Sequence, residues 1–304
     1  LLAFAAAGGV FLPVCRLNHF KKIEKKFFPY FSLSFQSGKN ALLSLLEVEM
    51  LVQDEIPLFE YDTDTHAVIE PTHEKFPIKL PVRCVFGFLG DFIDSYAKQN
   101  NCKVLGIFES TTKAFPVYEL IRDGKQLCFC QAPAGSAAAT QFLDWLIGYG
   151  VQEIVATGGC GVLVGFPENV FLIPTRALRD EGTSYHYLPP ARYIDLNGLA
   201  VSAISSTLEK NQIPFTECFT WTTDAFFRET KEKCAARKKE GCSVVEMECS
   251  ALASCAQFRK VLFAELLFTG DSLADPEKYA ERGWGKNSIA IAFNLAVDSV
   301  LSMC

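Results

Sequence analysis

Two short strings in this chain put carboxyl groups where chemistry is commonly done. Glu246-Met247-Glu248 closes one apolar run, and Gly270-Asp271-Ser272 closes another, with Glu248 and Asp271 separated by 23 positions. An ionised carboxylate can accept hydrogen bonds from two adjacent hydroxyls at once, each strengthened by the charge. A carboxylic acid beside a departing group gives general-acid help, commonly about 10²–10⁴ in rate. Taken singly, each string also has a plain structural meaning. Glu-Met-Glu can be a strand end facing solvent, and Gly-Asp-Ser can be a turn in which Asp271 caps a helix.

Glycines recur at the ends of the same kind of run. Gly87 and Gly90 follow the first, Gly135 the third, and Gly158-Gly159-Cys160-Gly161 the fourth. In open α/β sheets ligands sit at the carboxyl ends of strands, and glycine lets backbone N–H groups approach an anion closely. One such glycine is a turn. Several at successive strand ends point to a ligand-holding rim, with Gly90, Gly158 and Gly159 as its phosphate- or water-binding loops. The chain has no GxGxxG and no GxxxxGK[ST] string, so neither a dinucleotide site nor a P-loop is indicated.

These residues need a scaffold. From residue 82 onward short apolar runs alternate with amphipathic stretches, the pattern of strands interleaved with helices around a central sheet. Strands are expected at 83–89, 103–108, 126–132, 153–157, 170–174, 215–220, 243–247 and 261–269. A helix is expected over 137–148. Ile289, Phe293, Ala296, Val297, Val300 and Leu301 mark a C-terminal helix at three-to-four spacing.

The 304 residues are 49% hydrophobic and 21% charged, enough apolar material for a sizeable core. A net charge of −6 and a pI near 5.4 disfavour nucleic acid, because phosphate-backbone binding rests on clustered Lys and Arg. The twelve cysteines are scattered from Cys15 to Cys304, mostly inside apolar strings, and are read as reduced, buried thiols. In the run 126–130, Cys128 and Cys130 are read as divided between the two faces of a strand, which disfavours a shared metal. With four histidines and no paired CxxC knuckles, no structural zinc is expected.

Residues 1–15 are apolar but too short to span a bilayer, and the basic stretch at 21–26 follows them, the reverse of a signal peptide. Residues 1–49 are therefore expected to be an extension outside a functional domain spanning 50–304. A membrane anchor is the alternative. The expected location is cytoplasmic.

From Cys84 to the C-terminus the chain resembles the nucleoside phosphorylase family, which includes purine nucleoside phosphorylases, uridine phosphorylases and methylthioadenosine-type nucleosidases. The matching strings run in the family's order. They are Phe88-Leu89-Gly90-Asp91, Ala134-Gly135-Ser136-Ala137, Thr157-Gly158-Gly159-Cys160-Gly161 and Arg179 to Tyr187. Thr222-Thr223-Asp224-Ala225-Phe226, Val245 to Cys249 and Thr269-Gly270-Asp271-Ser272 complete the set. The resemblance implies a single α/β domain whose central mixed, partly barrel-like sheet is flanked by helices. It implies cleavage of a nucleoside's N-glycosidic bond, a homo-oligomer with sites near subunit boundaries, and no metal or organic cofactor. A small-molecule nucleoside is the partner implied, with no nucleic acid and no membrane.

That reaction passes through an oxocarbenium-like ribose, so an enzyme must hold the sugar, take up charge on the leaving base and present a nucleophile. By resemblance Glu248 holds the ribose hydroxyls, Met247 lies against the ribose and Glu246 buttresses the strand end. Asp271 stands where purine-cleaving relatives place an acid opposite N7, and Phe226 where an aromatic ring stacks on the base. Uracil-reading relatives follow that Phe with a Gln and an Arg, where this chain has Thr230 and Glu232, so a purine is favoured. Asp224 is assigned to ordering its loop. His186 and Arg179 belong to a segment that forms site wall and subunit contact in relatives, and His73 precedes Gly90 at about the distance of a His that some relatives lend to the neighbouring subunit.

The chain departs from phosphorolytic relatives at their three phosphate-binding arginines, whose matching positions are Asp94, Glu119 and Ala156. Each carboxylate within about 4 Å of a phosphate would repel it by several kcal/mol at an effective dielectric of about 20. Three readings follow. In the first, phosphorolysis to free base and ribose 1-phosphate, phosphate is the co-substrate and Arg83, Arg122 or Arg179 replaces the missing cations. In the second, Asp94 activates water and the enzyme is a nucleosidase. In the third, the protein binds or stores nucleosides without catalysis, which the retention of Glu248 and Asp271 argues against.

Overall fold

The structure, a computed structural model, describes residues 51–303. The expected extension at 1–49 lies outside the described residues. Ten strands form one sheet: β3 (Arg83–Phe88), β4 (Val104–Glu109), β5 (Ala114–Arg122), β6 (Lys125–Gln131), β7 (Glu153–Val162), β8 (Phe171–Asp180), β9 (Tyr193–Asp195), β10 (Phe215–Thr223), β11 (Val244–Glu246) and β12 (Leu262–Ser272). A separate two-stranded ribbon pairs β1 (Leu51–Val52) with β2 (Tyr61–Asp62). The sheet runs β11-β10-β8-β12-β7-β3-β6-β5-β4, with β9 attached to β8. Because β11 also pairs with β7, the strands β7, β12, β8, β10 and β11 close into a five-stranded barrel.

The barrel is mixed. β12 is parallel to β7, and β8, β10 and β11 are parallel to one another in turn, while the joints β12–β8 and β11–β7 are antiparallel. From β7 the sheet continues parallel through β3 and β6, then antiparallel through β5 and β4. Strands β3, β7 and β12 read as almost unbroken apolar runs because both of their faces are covered.

Six helices among the described residues do the covering: α1 (Phe92–Gln99), α2 (Ser136–Gly148), α3 (Gly198–Lys210), α4 (Lys231–Lys239), α5 (Cys249–Arg259) and α6 (Ile289–Ser302). The expected C-terminal stripe is the buried face of α6, where Phe293, Ala296, Val297 and Val300 are fully enclosed. Burying a side chain of Val or Phe size contributes about 1.5–3 kcal/mol. Phe92 and Tyr96 of α1 pack their rings on Phe293 at 5.5 and 4.7 Å, which fixes α1 and the Gly90 turn before it. Local chemistry starts two helices: Asn197 caps α3 by accepting from Leu199 and Ala200 N–H, and Thr230 caps α4 by accepting from Lys233 N–H.

Three features differ from the sequence reading. Gly158 and Gly159 lie inside β7, paired with β3 and β12, rather than in a loop after it. Here glycine serves close packing, since a Cβ at Gly158 would sit 2.9 Å from the Cβ of Phe88. Cys128 and Cys130 share one face of β6, because residues two apart on a strand point the same way, and Cys84 is the register partner of Cys128 on β3. β5 was not expected from the sequence: Pro116 and the charged residues around it hide a strand that tertiary pairing holds.

Candidate active site

Glu248 is the anchor of the site. It follows β11 at the entry to α5 and is only 8% exposed. Its carboxylate accepts the backbone N–H of Gly135, so the turn after β6 and the end of β11 meet there. Gly135 takes a φ of 94°, a left-handed conformation that glycine adopts without strain. The neighbouring Ser136 hydroxyl donates to the Met247 carbonyl at 2.6 Å, a second tie across the same joint. Burial, then the Glu246 charge, push the Glu248 carboxyl up to about 8.

Glu246 does the work of a buttress. One of its oxygens accepts from the Thr220 and Thr222 hydroxyls at 3.1 and 2.6 Å, and the other from the N–H groups of Glu248 and Cys249 at 2.7 and 2.6 Å. Two orphan donors at the start of α5 are thereby satisfied, and the Glu248 backbone is locked to β10. Burial raises the Glu246 carboxyl despite these four donors.

Asp271 lies at the end of β12, partly buried. Burial raises its carboxyl, opposed by a hydrogen bond from Tyr279 and by the charge of Arg282. Its position is set by Gly161 on β7. A Cβ at Gly161 would meet Asp271 Oδ1 at 3.1 Å and Val245 Cγ1 at 3.1 Å. Val245 belongs to β11 and is the register partner of Gly161, so Asp271 packs beside the strand that leads directly into Glu248.

Phe226 occupies the short helix Phe226–Arg228 after β10, is 50% exposed and lies 3.8 Å from the Phe227 ring centroid. An open aromatic face on this turn has the shape of a stacking platform. Asp224, just before it, accepts from Gly182 N–H at 2.8 Å, which orders the loop as expected.

Asp94 sits in the first turn of α1 and accepts from the Tyr118 hydroxyl of β5 at 3.0 Å. Among the described residues no hydrogen bond or ion pair links it to Glu248 or Asp271. Burial and the Asp94 carboxylate push the Tyr118 hydroxyl up to about 12. Gly90, with a φ of 57°, forms the open turn between β3 and α1. Glu119 accepts from Gln126 at 2.5 Å across β5 and β6.

None of the three arginines proposed as substitute cations is turned to this site. Arg83 pairs with Glu153 at 2.8 Å and reaches the Met303 carbonyl. Arg122 bonds to Asp298 and Asn294 on α6 at 3.0 and 2.9 Å. Arg179 is buried, and its donors are spent on the Ser184 hydroxyl at 2.9 Å and the carbonyls of Pro189 and Leu188 at 2.9 and 3.2 Å. Its guanidinium also covers the Tyr185 ring at 4.4 Å. His73 and His186 line one groove of about 940 Å³ that borders Ala137 and Gly182.

Sequence reasoning missed two acids. Glu265 is 1% exposed, bonds to the Cys249 thiol and leaves one carboxylate oxygen without a partner. A lone charge within the apolar run 262–268 was its available signal. Glu229 lies near Asp271, and burial followed by the Asp271 charge push it up to about 7. Nothing distinguished it within a segment crowded with charge.

The architecture has close parallels among solved structures. A purine nucleoside phosphorylase from Toxoplasma gondii superimposes with a TM-score of 0.61 at 15% identity, covering 74% of this chain and 91% of that one. An AMP nucleosidase from Bacteroides thetaiotaomicron gives 0.60 at 20% identity over 73% and 88%. A uridine phosphorylase from Vibrio fischeri gives 0.61 at 18% over 74% and 92%. No match was found among curated protein sequences. The family model described as the phosphorylase superfamily matches residues 83–302, which take in Asp94, Phe226, Glu248 and Asp271, and the chain belongs to that superfamily.

Proposed function

We propose that this protein cleaves the N-glycosidic bond of a purine nucleoside, with Glu248 holding the ribose hydroxyls, Met247 against the sugar, Phe226 on the base and Asp271 as the acid at the leaving ring. The observation that carries this reading is the joint at Glu248. A buried carboxyl fixed by Gly135 N–H and braced by Glu246 is raised to about 8 by burial and the Glu246 charge, and two ribose hydroxyls would supply donors that favour its charged form. Asp271, held beside β11 with its own carboxyl raised, is suited to sharing a proton with a departing base.

Water is the nucleophile this site suits better. Arg83, Arg122 and Arg179 are committed elsewhere, and Asp94 and Glu119 stand at two of the positions where phosphorolytic relatives keep arginine. Phosphate is a co-substrate only in the rival, phosphorolytic reading, which retains the similarity to phosphorylases in its favour. The working form is expected to be a homo-oligomer in the cytoplasm. Among the described residues no helix is long and apolar enough to cross a membrane.

The test is release of free base from inosine, adenosine, methylthioadenosine and uridine, with and without phosphate. Release without phosphate, abolished in Asp94→Asn, is the expected result. Release that requires phosphate replaces water with phosphate, and no release from any nucleoside leaves the fold as a binding protein.

A further inference from the structure

A carboxylate on the turn between β7 and β8 clasps the loop that follows Asp271. That turn is itself tied to β12: Asn169 N–H donates to the Thr269 carbonyl at 3.0 Å, and the Thr269 hydroxyl donates to the Pro167 carbonyl at 2.7 Å. From there one oxygen of Glu168 accepts the backbone N–H groups of Gly283 and Gly285, both at 2.9 Å. Gly283 leaves room for the clasp, since a Cβ there would lie 2.9 Å from the same oxygen. Beside it Arg282 and Trp284 hold φ values of 55° and 59°. Left-handed backbone at residues other than glycine persists where the surroundings over-determine it. The clasped loop flanks Asp271 on both sides. Ser272 and Ala280 exchange backbone hydrogen bonds at 2.8 and 3.1 Å, the Arg282 guanidinium donates to the Gly270 carbonyl at 3.4 Å, and a Cβ on Gly270 would meet the Trp284 backbone at 3.4 Å.

We infer that Glu168 is a positioning residue for Asp271: by clasping Gly283 and Gly285 it pins the loop that brackets Gly270 and Ser272, and so fixes where the acid stands. The inference rests on the reading of Asp271 as the acid at the leaving ring. Two N–H groups on one carboxylate oxygen make charge-assisted bonds, stronger than neutral ones. With the loop held, the Tyr279 hydroxyl and the Arg282 charge bear on Asp271 and oppose the effect of burial on its carboxyl. Release of the clasp removes both, so the Asp271 carboxyl rises further. Glu229 on the turn after β10 and the Cys160 thiol on β7 face the same carboxyl from other elements, outside the clasp. A general acid works in its protonated form, so the alkaline limb of cleavage moves to higher pH as its carboxyl rises. The rate falls as well, because a group misplaced by about 1 Å can cost about 10²-fold.

The test compares the full-length wild type with Glu168→Ala, Glu168→Gln and Gly283→Ala, with thermal melts to confirm folding. It reads acrylamide quenching of tryptophan fluorescence, the carbon-13 NMR titration of the Asp271 carboxyl, and nucleoside cleavage against pH. Trp284 is 48% exposed while Trp145 and Trp221 are buried, so quenching reports on the loop. Glu168→Ala removes the acceptor and Gly283→Ala crowds it out. Both should increase quenching, raise the Asp271 carboxyl and lower kcat by about 10- to 100-fold, with KM changed by less than about threefold. Glu168→Gln keeps an oxygen for both N–H groups and should restore most of each readout. Combining Glu168→Ala with Gly283→Ala should be no worse than either alone, since both break the same contact. Quenching and an Asp271 titration that do not move in Glu168→Ala, a Gln variant as impaired as the Ala variant, or losses that add in the double variant overturn the inference. An Asp271 titration that depends on Glu168 in a protein that cleaves no nucleoside sinks the enzymatic reading alone. Cleavage with an Asp271 titration indifferent to Glu168 sinks this inference alone.

Discussion

Replacing Glu248 with Gln tests the site at its most buried charge. The amide keeps the shape and can still accept the Gly135 N–H, but it never ionises. In the wild type, burial and the Glu246 charge raise this carboxyl from 4.5 to about 8, which corresponds to roughly 3–5 kcal/mol. The sign follows from the direction of the shift. The folded state binds the proton more tightly, so this stabilisation is complete below pH 4.5, declines as pH rises, and is gone above about 8. Glu248→Gln should therefore match the wild type near pH 5 and exceed it by several kcal/mol at pH 9, read from urea midpoints at each pH. Glu265 and Asp271 are present in both proteins and cancel in the difference. Relief of Glu246, which no longer faces a second charge, adds to the same trend. Nucleoside cleavage should fall by about 10² or more, because the charged acceptor for the ribose hydroxyls is lost. Two stability curves that stay parallel from pH 5 to 9 would show that Glu248 is not held neutral by its surroundings.

Two further outcomes follow from the same geometry. Asp271→Asn should leave the melting temperature nearly unchanged, since the side chain is only partly buried, while slowing base release from purine nucleosides by about 10²–10⁴; turnover at the wild-type rate removes Asp271 from the mechanism. Arg179→Met should destabilise the fold by about 3 kcal/mol in urea titration, because the carbonyls of Leu188 and Pro189 lose their donors, without altering any phosphate dependence of activity; a selective change in phosphate dependence would return Arg179 to the site.

Much of this was legible in the sequence, and the limits have physical causes. The apolar runs at 83–89 and 261–269 became β3 and β12 because fully covered strands need no alternation to reveal them. The stripe from Ile289 to Leu301 became the buried face of α6 for the matching helical reason. The glycine run at 158–161 misled, since glycine marks close packing inside a strand as readily as a turn. Arg179 looked available as a cation because a sequence cannot show that the chain folds back so that the carbonyls of Leu188 and Pro189, nine and ten residues on, already claim it. Glu229 was invisible for the same kind of reason: the charge that raises its carboxyl, after burial, belongs to Asp271, 42 residues away.

Gly161 sets a limit on how this protein can diversify. It touches no substrate in the proposed reading, yet even a methyl group there would crowd Asp271 Oδ1, Leu273 Cδ1 and Val245 Cγ1 at 2.9–3.1 Å. Any side chain larger than hydrogen must displace the Leu273 side chain and push the Asp271 carboxyl and Val245 by a few tenths of an ångström, beside a β11–β7 seam only two residue pairs long. Variation that retunes the preferred base is therefore freer in the outer turns, such as the one bearing Phe226, than at the wall behind the acid.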